Sequence, residues 1–240
     1  MAREVDVLIV THVVGRRGHG AVLEELGREG LLGEDNEYIH VSGLEGDAPW
    51  KWMKDTEGGI SIAAPIEMTM RHGMPPLEKV LAFGLQPSLS VDVECTMTAD
   101  FFTQMRTVYT LQRALVNERA LRGEKDLPPM LTCRDVLRFA TVEGARAAHL
   151  SKRVGTLTPG KEADLILLRT DALNVAPLNN ALGAVVTLLE QSNVDTVIVA
   201  GQVRKWRGAL VGVDLAGLRQ RVTASRDFLF ETSGVPRRLF

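Results

Sequence analysis

Short apolar runs alternate with amphipathic stretches through the first part of the chain. The apolar runs predict buried strands over residues 6–10, 38–41, 59–63 and 87–91. Leucine and valine at helical spacing predict helices over residues 21–30, 49–56 and 76–83. Strands that alternate with helices in this way are typical of parallel βαβ units. The pattern fits half of an eight-stranded barrel or a small doubly wound sheet, and periodicity alone does not separate these two.

The pattern changes after the fourth predicted strand. A long amphipathic helix is predicted over residues 98–122, and shorter helices over residues 132–139, which Thr132 can cap, and 141–150. Later β-type runs predict strands over residues 164–168, 196–200 and 202–206, followed by a helix over residues 214–230. We therefore expect one domain over residues 1–153 and a small β-sandwich portion with a C-terminal helix over residues 154–240.

Composition narrows the class of protein. The chain has 240 residues, of which 45% are hydrophobic and 24% are charged, and a formal net charge of −2. These values are ordinary for a globular protein and give no electrostatic support for binding nucleic acid or an anionic membrane. The two cysteines, Cys95 and Cys133, form no Cys-x-x-Cys pair, which disfavours a disulfide framework or a thiolate zinc site. The sequence therefore predicts a cytoplasmic protein without a membrane span.

Candidate catalytic or metal-binding residues lie at the ends of three predicted strands. His12 ends the first strand, His40 lies at the end of the second, and Asp92 ends the fourth. In a parallel α/β barrel the active-site residues lie at these carboxyl ends. An isolated histidine or aspartate at the end of a strand more often has only a structural role. These three residues occupy the same position on three strands, which favours a functional site. Imidazole and carboxylate are ligands that zinc, iron and manganese accept.

Several motifs carry a resemblance to a known family. Residues 154–168 (VGTLTPGKEADLILL) and 194–203 (VDTVIVAGQV) resemble the closing segment of the amidohydrolase superfamily, the metal-dependent hydrolases and deaminases related to cytosine deaminase and triazine hydrolases. Residues 73–92 resemble that family's glycine-proline turn, helix, and strand ending in a metal-binding aspartate. Residues 140–146 resemble the helix motif that precedes the closing segment.

The resemblance implies a partial TIM barrel made of the equivalents of strands 5–8. It implies that His12 and Asp92 bind a divalent metal (zinc, iron or manganese) and that Asp92 also takes a proton from the attacking water. His40 would bind the metal or polarise the substrate, and Glu67 could supply a further catalytic carboxylate or lie at the rim. The implied reaction is hydrolysis of a carbon–nitrogen bond, other than a peptide bond, in a small molecule.

The chain also departs from the family pattern. It contains no His-x-His, the family's first metal motif, and Gly15 stands where many deaminase relatives have a glutamate. We therefore expect this chain to be the C-terminal portion of an amidohydrolase. The sequence does not decide whether it still binds the metal. The alternative is a non-catalytic remnant or subunit that completes the barrel with another chain or as a homo-oligomer. A doubly wound binding domain is a third reading, but residues 15–20 lack the G-x-G-x-x-G spacing. His72, beside Gly73, could reach the rim of the active site, but a loop histidine facing water is the preferred interpretation.

Overall fold

A four-stranded parallel sheet forms the first part of the computed structural model, which describes residues 3–5, 7–94 and 97–237. The strands lie in chain order and are β1 (Ile9–Val14), β2 (Asn36–Ser42), β3 (Gly59–Ile62) and β4 (Ser88–Leu89). The helices between them are α1 (His19–Arg28), α2 (Ala48–Asp55), α3 (Ala64–Thr69) and α4 (Leu77–Ala82). The predicted α/β class with a parallel sheet is confirmed. Asp6, the first residue of one predicted strand, and Cys95 lie outside the described residues.

The bounds of all four strands differ from the prediction. β1 continues to Val14 because Val13 and Val14 are buried and pair with β2, so His12 lies before the end of the strand. β2 is longer at both ends than predicted and contains His40 near its carboxyl end, as expected. β3 ends one residue earlier, at Ile62. β4 contains only two residues, and Asp92 therefore lies in the loop that follows it and not at the end of the strand.

The helices that follow the sheet are largely as predicted. α5 (Phe101–Leu121) begins after Asp100, whose side chain accepts a hydrogen bond from the Phe102 N–H. α6 (Cys133–Arg138) is capped by Thr132 in a reciprocal pair with Asp135, as predicted. The helix predicted over residues 141–150 is instead a π-helical turn (Phe139–Glu143) continued by α7 (Gly144–Ala147). The sequence pattern did not predict α3 or α8 (Ala181–Thr187).

A second, antiparallel sheet and a final helix follow. The sheet contains β5 (Leu165–Leu168), β6 (Val194–Val199), β7 (Gln202–Trp206) and β8 (Ala209–Leu210), each paired with the next. Large apolar side chains of this sheet are exposed: Ile166, Leu167, Val199, Val203, Trp206 and Leu210. The final helix, α9 (Leu215–Ser233), buries no residue. Within the described part of the chain, no helix has the length and apolar character needed to cross a bilayer.

The hydrophobic core lies between the parallel sheet and the helices that cover it. Its largest fully buried apolar side chains come from β2, α2, β3, α3, α4, the π-helical turn and the segment after α8: Tyr38, Trp50, Met53, Ile60, Ile62, Ile66, Leu77, Phe139 and Leu189. β1 differs, since Val10, Thr11 and His12 are exposed one after another. Successive side chains of a strand point to opposite faces, so the described residues cover neither face of the middle of β1.

A buried carboxylate anchors the π-helical turn. Glu143 is only 4% exposed. Its two oxygens accept hydrogen bonds from Arg138 and Arg146, each at 2.9 Å. Both arginines are about half exposed and can return to water if the partner is lost. The cost of losing Glu143 is therefore mainly that of its own charge-assisted hydrogen bonds.

We expect Glu143→Gln to lower the free energy of unfolding by about 1–3 kcal/mol, because charge-assisted hydrogen bonds at a buried carboxylate are lost. The matched control is Glu118→Gln, whose ion pair with Arg122 on α5 is solvent-exposed and 2.9 Å long. An exposed pair of this kind contributes less than about 1 kcal/mol. Urea unfolding of both variants checks the prediction, and equal midpoints would contradict it.

Candidate active site

The site is built around His40, near the carboxyl end of β2. The pairing of β1 with β2 shifts register there: Val13 pairs with His40 and Val14 with Ser42, so Val41 is an extra residue in β2. His40 and Val41 both have left-handed backbone, with φ of 72° and 46°. This conformation is costly for a residue with a side chain, and most of all for β-branched valine. Bulges of this type re-aim a side chain near functional sites, and here the side chain is that of His40.

Two carboxylates lie at the two nitrogens of the His40 ring. Nδ1 is 3.2 Å from Oε1 of Glu67, and Nε2 is 3.7 Å from Oδ2 of Asp92. His40 is 1% exposed, whereas the Asp92 side chain is 24% exposed and reaches solvent. Asp92 also has left-handed backbone, with φ of 55°. The imidazole therefore lies between a buried and an open carboxyl group.

Glu67 is the buried partner. It lies in the first turn of α3 and is 0% exposed. Its Oε1 accepts the N–H of Ala63 at 2.9 Å, while Oε2 is buried without a hydrogen-bond partner among the described residues. Burial raises the pKa of the Glu67 carboxyl, and the hydrogen bonds with His40 and Ala63 oppose that rise. The predicted catalytic role of Glu67 stays a prediction.

Two further histidines flank His40. The ring of His12 lies with its centroid 5.3 Å from that of His40, and the His72 ring meets His40 edge-on at 4.6 Å. Of the two readings of His72, the structure favours the active-site rim, since the residue is half-buried and its Nδ1 is buried without a hydrogen-bond partner among the described residues. Burial, followed by the nearby His40, lowers the pKa of His72. The contact with His40 arises from the loop after α3, where Arg71 and Gly73 both have positive φ.

The structure thus brings together the three residues that the sequence singled out, since His12 and Asp92 both lie beside the His40 ring. As a metal site, the set is incomplete. Within the residues that the structure describes, no group of three or more histidine, cysteine, aspartate or glutamate side chains could hold a metal ion. Catalytic zinc sites use three protein ligands and keep one position open. The described residues alone therefore do not fit a complete metal centre.

Gly15 begins the turn after β1 and allows no side chain. A Cβ atom at this position would lie 1.8 Å from the carbonyl oxygen of Gly43 and 2.7 Å from the amide nitrogen of Leu44. Both are backbone atoms of the loop after β2, the strand that carries His40. The glutamate that many deaminases have here cannot be accommodated in this backbone arrangement.

A cavity of about 750 Å³ lies away from these residues. It is lined by residues that include Glu34, Lys54, Gln86, Arg146 and His149. Glu34 and Gln86 precede β2 and β4, so this cavity opens at the amino ends of the strands. Active-site residues of parallel barrels lie at the carboxyl ends. The candidate site is therefore the His40 cluster and not this cavity.

Comparison with known proteins gives consistent results. A model of the amidohydrolase family matches residues 2–204. The 5-methylthioadenosine/S-adenosylhomocysteine deaminase of Moorella thermoacetica is 28% identical over 166 residues, which cover 69% of this chain and 37% of that protein. A zinc-bound adenosine deaminase from Xanthomonas campestris superposes with a TM-score of 0.83 at 22% identity, over 95% of this chain and 52% of the other.

A second solved structure, the zinc complex of atrazine chlorohydrolase from Arthrobacter aurescens, superposes with a TM-score of 0.78 at 19% identity. The match covers 93% of this chain and 49% of that one. At these identities the structural likeness shows a shared fold. The chain spans about half the length, or less, of these relatives, with 37% to 52% of each covered.

Proposed function

Because the chain belongs to the amidohydrolase family, as its closing motif predicted, we propose that it carries the catalytic aspartate and two site histidines of a metal-dependent hydrolase. The reaction is hydrolysis of a carbon–nitrogen bond, other than a peptide bond, in a small molecule. The observation that carries this proposal is the convergence of His12, His40 and Asp92 at the carboxyl end of a parallel sheet.

The residues have distinct roles in this proposal. Asp92 is the general base, since its side chain is open to solvent while lying beside the His40 ring. His40, through Nε2, stabilises charge that develops on the substrate. His12 and Asp92 would hold a divalent cation together with ligands from outside the described residues. Such a cation would lower the pKa of coordinated water and so make hydroxide available at neutral pH. Zinc, iron and manganese all accept these ligand types.

The two ligands proposed here need others from outside the described residues. The parallel sheet supports this, since β1 is an edge strand whose Val10 is 54% exposed and whose His12 is exposed as well. An open strand edge and an uncovered apolar face favour pairing with further strands. We propose that residues 1–153 correspond to strands 5–8 of a barrel and residues 154–240 to part of a β-sandwich with a final helix. A complementing polypeptide, or a second copy of this chain, would complete both.

The same observations support a second candidate function. A chain that lacks part of its metal centre can serve as a non-catalytic subunit whose role is association with another chain. The exposed apolar side chains of the second sheet, such as Ile166 and Trp206, favour such an association. This candidate differs from the first in predicting a stable complex without turnover.

The proposed substrate class is a small aminated heterocycle. The sequence relative reported above is a 5-methylthioadenosine/S-adenosylhomocysteine deaminase, and one structural relative is an atrazine chlorohydrolase. Gly15, which leaves no space for the deaminase glutamate, distinguishes this chain from many relatives. We therefore expect the proton transfers to rely on Asp92 and His40.

The test combines turnover with assembly. The purified chain, loaded with zinc, iron or manganese in turn, is assayed against aminopurine nucleosides, aminotriazines, cyclic ureides and simple amides, with sedimentation velocity on the same sample. Turnover of any panel member by a complex larger than one chain is the expected result. A stable complex without turnover would favour the subunit function. A monodisperse, inactive monomer would contradict both.

A further inference from the structure

We propose that Glu67 is a positioning residue that holds His40 as the Nδ1–H tautomer, so that the Nε2 lone pair points toward Asp92 and the open side of the site. The use of that lone pair rests on the function proposed above. The tautomer itself rests only on the contacts of His40 and Glu67.

The hydrogen bonds of Glu67 Oε1 decide the direction of the contact. This oxygen accepts the N–H of Ala63 at 2.9 Å, and a backbone N–H can only donate. As a carboxylate, Glu67 has no hydrogen to donate, so in this form Oε1 accepts from both Ala63 and His40. The His40 Nδ1 atom, 3.2 Å from Oε1, consequently carries the hydrogen and donates it.

The surroundings keep the ring in this orientation. Both Glu67 and His40 are buried, and the His72 ring contacts His40 edge-on at 4.6 Å. The bulge in β2 fixes the backbone that carries His40. With Nδ1 committed to Glu67, the unprotonated nitrogen is Nε2, 3.7 Å from Asp92. A carboxylate that receives the second N–H of an imidazole fixes its tautomer and raises the basicity of the other nitrogen.

Two other histidines provide internal references of the opposite tautomer. His19 Nδ1 accepts the N–H of Val14 at 3.0 Å, so its hydrogen is on Nε2. His149 Nε2 lies 2.8 Å from the carbonyl oxygen of Glu34, which can only accept, so its hydrogen is also on Nε2. The contacts therefore predict that His40 differs from both references within the same molecule.

Nitrogen-15 NMR of the histidine-labelled full chain tests the assignment. Spectra are recorded at about pH 8.5, above the ordinary histidine pKa of about 6.5, and the His40 signals are assigned with a His40→Asn variant. The expected result is a protonated Nδ1 and an unprotonated Nε2 for His40, with the reverse for His19 and His149. An Nε2–H tautomer at His40 in the wild-type chain would overturn the proposal.

Two substitutions separate positioning from simple packing. Glu67→Gln keeps an acceptor oxygen for both Ala63 and His40, so the Nδ1–H tautomer is retained. Glu67→Leu keeps apolar bulk but removes the acceptor, so His40 shifts toward the Nε2–H form. An unchanged His40 tautomer in folded Glu67→Leu would contradict the inference. If Glu67→Leu does not fold, the wild-type spectrum alone tests the His40 tautomer.

The same variants have an expected effect on the active assembly. Glu67→Leu lowers kcat about 10- to 100-fold with KM changed much less, in the range found when a group that orients a histidine is removed, and Glu67→Gln recovers part of the loss. Equal kcat in wild-type and folded Glu67→Leu would overturn the catalytic use of the tautomer. Inactivity of the wild-type assembly would count against the proposed hydrolase function and leave the NMR result standing.

Discussion

Replacing Asp92 by asparagine lowers kcat of the active assembly by about 10²–10⁴-fold, the range expected for loss of a positioned general base. The substitution keeps the shape of the side chain and removes its ability to accept a proton as a carboxylate. The fold should be little affected, because Asp92 is partly open to solvent and asparagine tolerates the left-handed backbone found there, with φ of 55°.

The matched control for this prediction is Glu94→Gln. Glu94 is an exposed carboxylate two residues farther along the same loop, and its side chain has no role in the proposed chemistry. Steady-state kinetics of the two variants, with circular dichroism to verify the fold, make the comparison. If Asp92→Asn retained turnover within threefold of Glu94→Gln, the assignment of Asp92 as general base would be wrong.

The second large effect is expected on stability. Gly15→Ala places a methyl group where the Gly43 carbonyl oxygen is only 1.8 Å from the ideal Cβ position, and backbone atoms cannot rotate away as a side chain can. We expect the free energy of unfolding to fall by about 3 kcal/mol, the upper part of the range for overpacking. The loop after β2 must move to relieve the overlap, and this loop follows the strand that carries His40.

Gly20→Ala is the control for the same change of residue type. A Cβ at Gly20 meets its nearest atoms, from Leu44 and Pro49, at 3.6 and 3.7 Å, which is ordinary contact. Because Gly20 lies within α1, alanine there should increase stability by up to about 1 kcal/mol through helix propensity. Thermal and urea unfolding distinguish the two variants. A Gly15→Ala protein as stable as Gly20→Ala would contradict the prediction, because the loop after β2 would then move aside at little cost in free energy.

Much of the fold follows from local pattern in the sequence. The apolar runs of β2 and β3 and the Thr132 cap of α6 are decided by nearby residues, and the structure confirms them. Strand ends were less predictable. β1 extends to Val14 because of its pairing with β2, which is a tertiary contact that a periodic pattern does not contain.

The candidate site was predicted in outline and missed in detail. His12, His40 and Asp92 were found because side chains at the carboxyl ends of parallel strands converge whichever residues lie between them. A rim position was one of two interpretations of His72, and the sequence could not decide between them because the contact with His40 depends on positive φ angles at Arg71 and Gly73. The same holds for the contact of Glu67 with His40, which depends on α3, a helix too short to give a periodic signal.

The most direct test of the proposed metal site is the metal content of the active assembly in a His12→Ala variant, compared with that of a His149→Ala variant. His149 lines the cavity at the amino ends of the strands, away from the candidate site. Mass spectrometry of the metal in both proteins, after loading with zinc and removal of free ions, is the measurement. We expect near-stoichiometric zinc in the His149→Ala protein and at least a tenfold loss of zinc affinity in the His12→Ala protein. Equal zinc content and affinity in the two variants would contradict it.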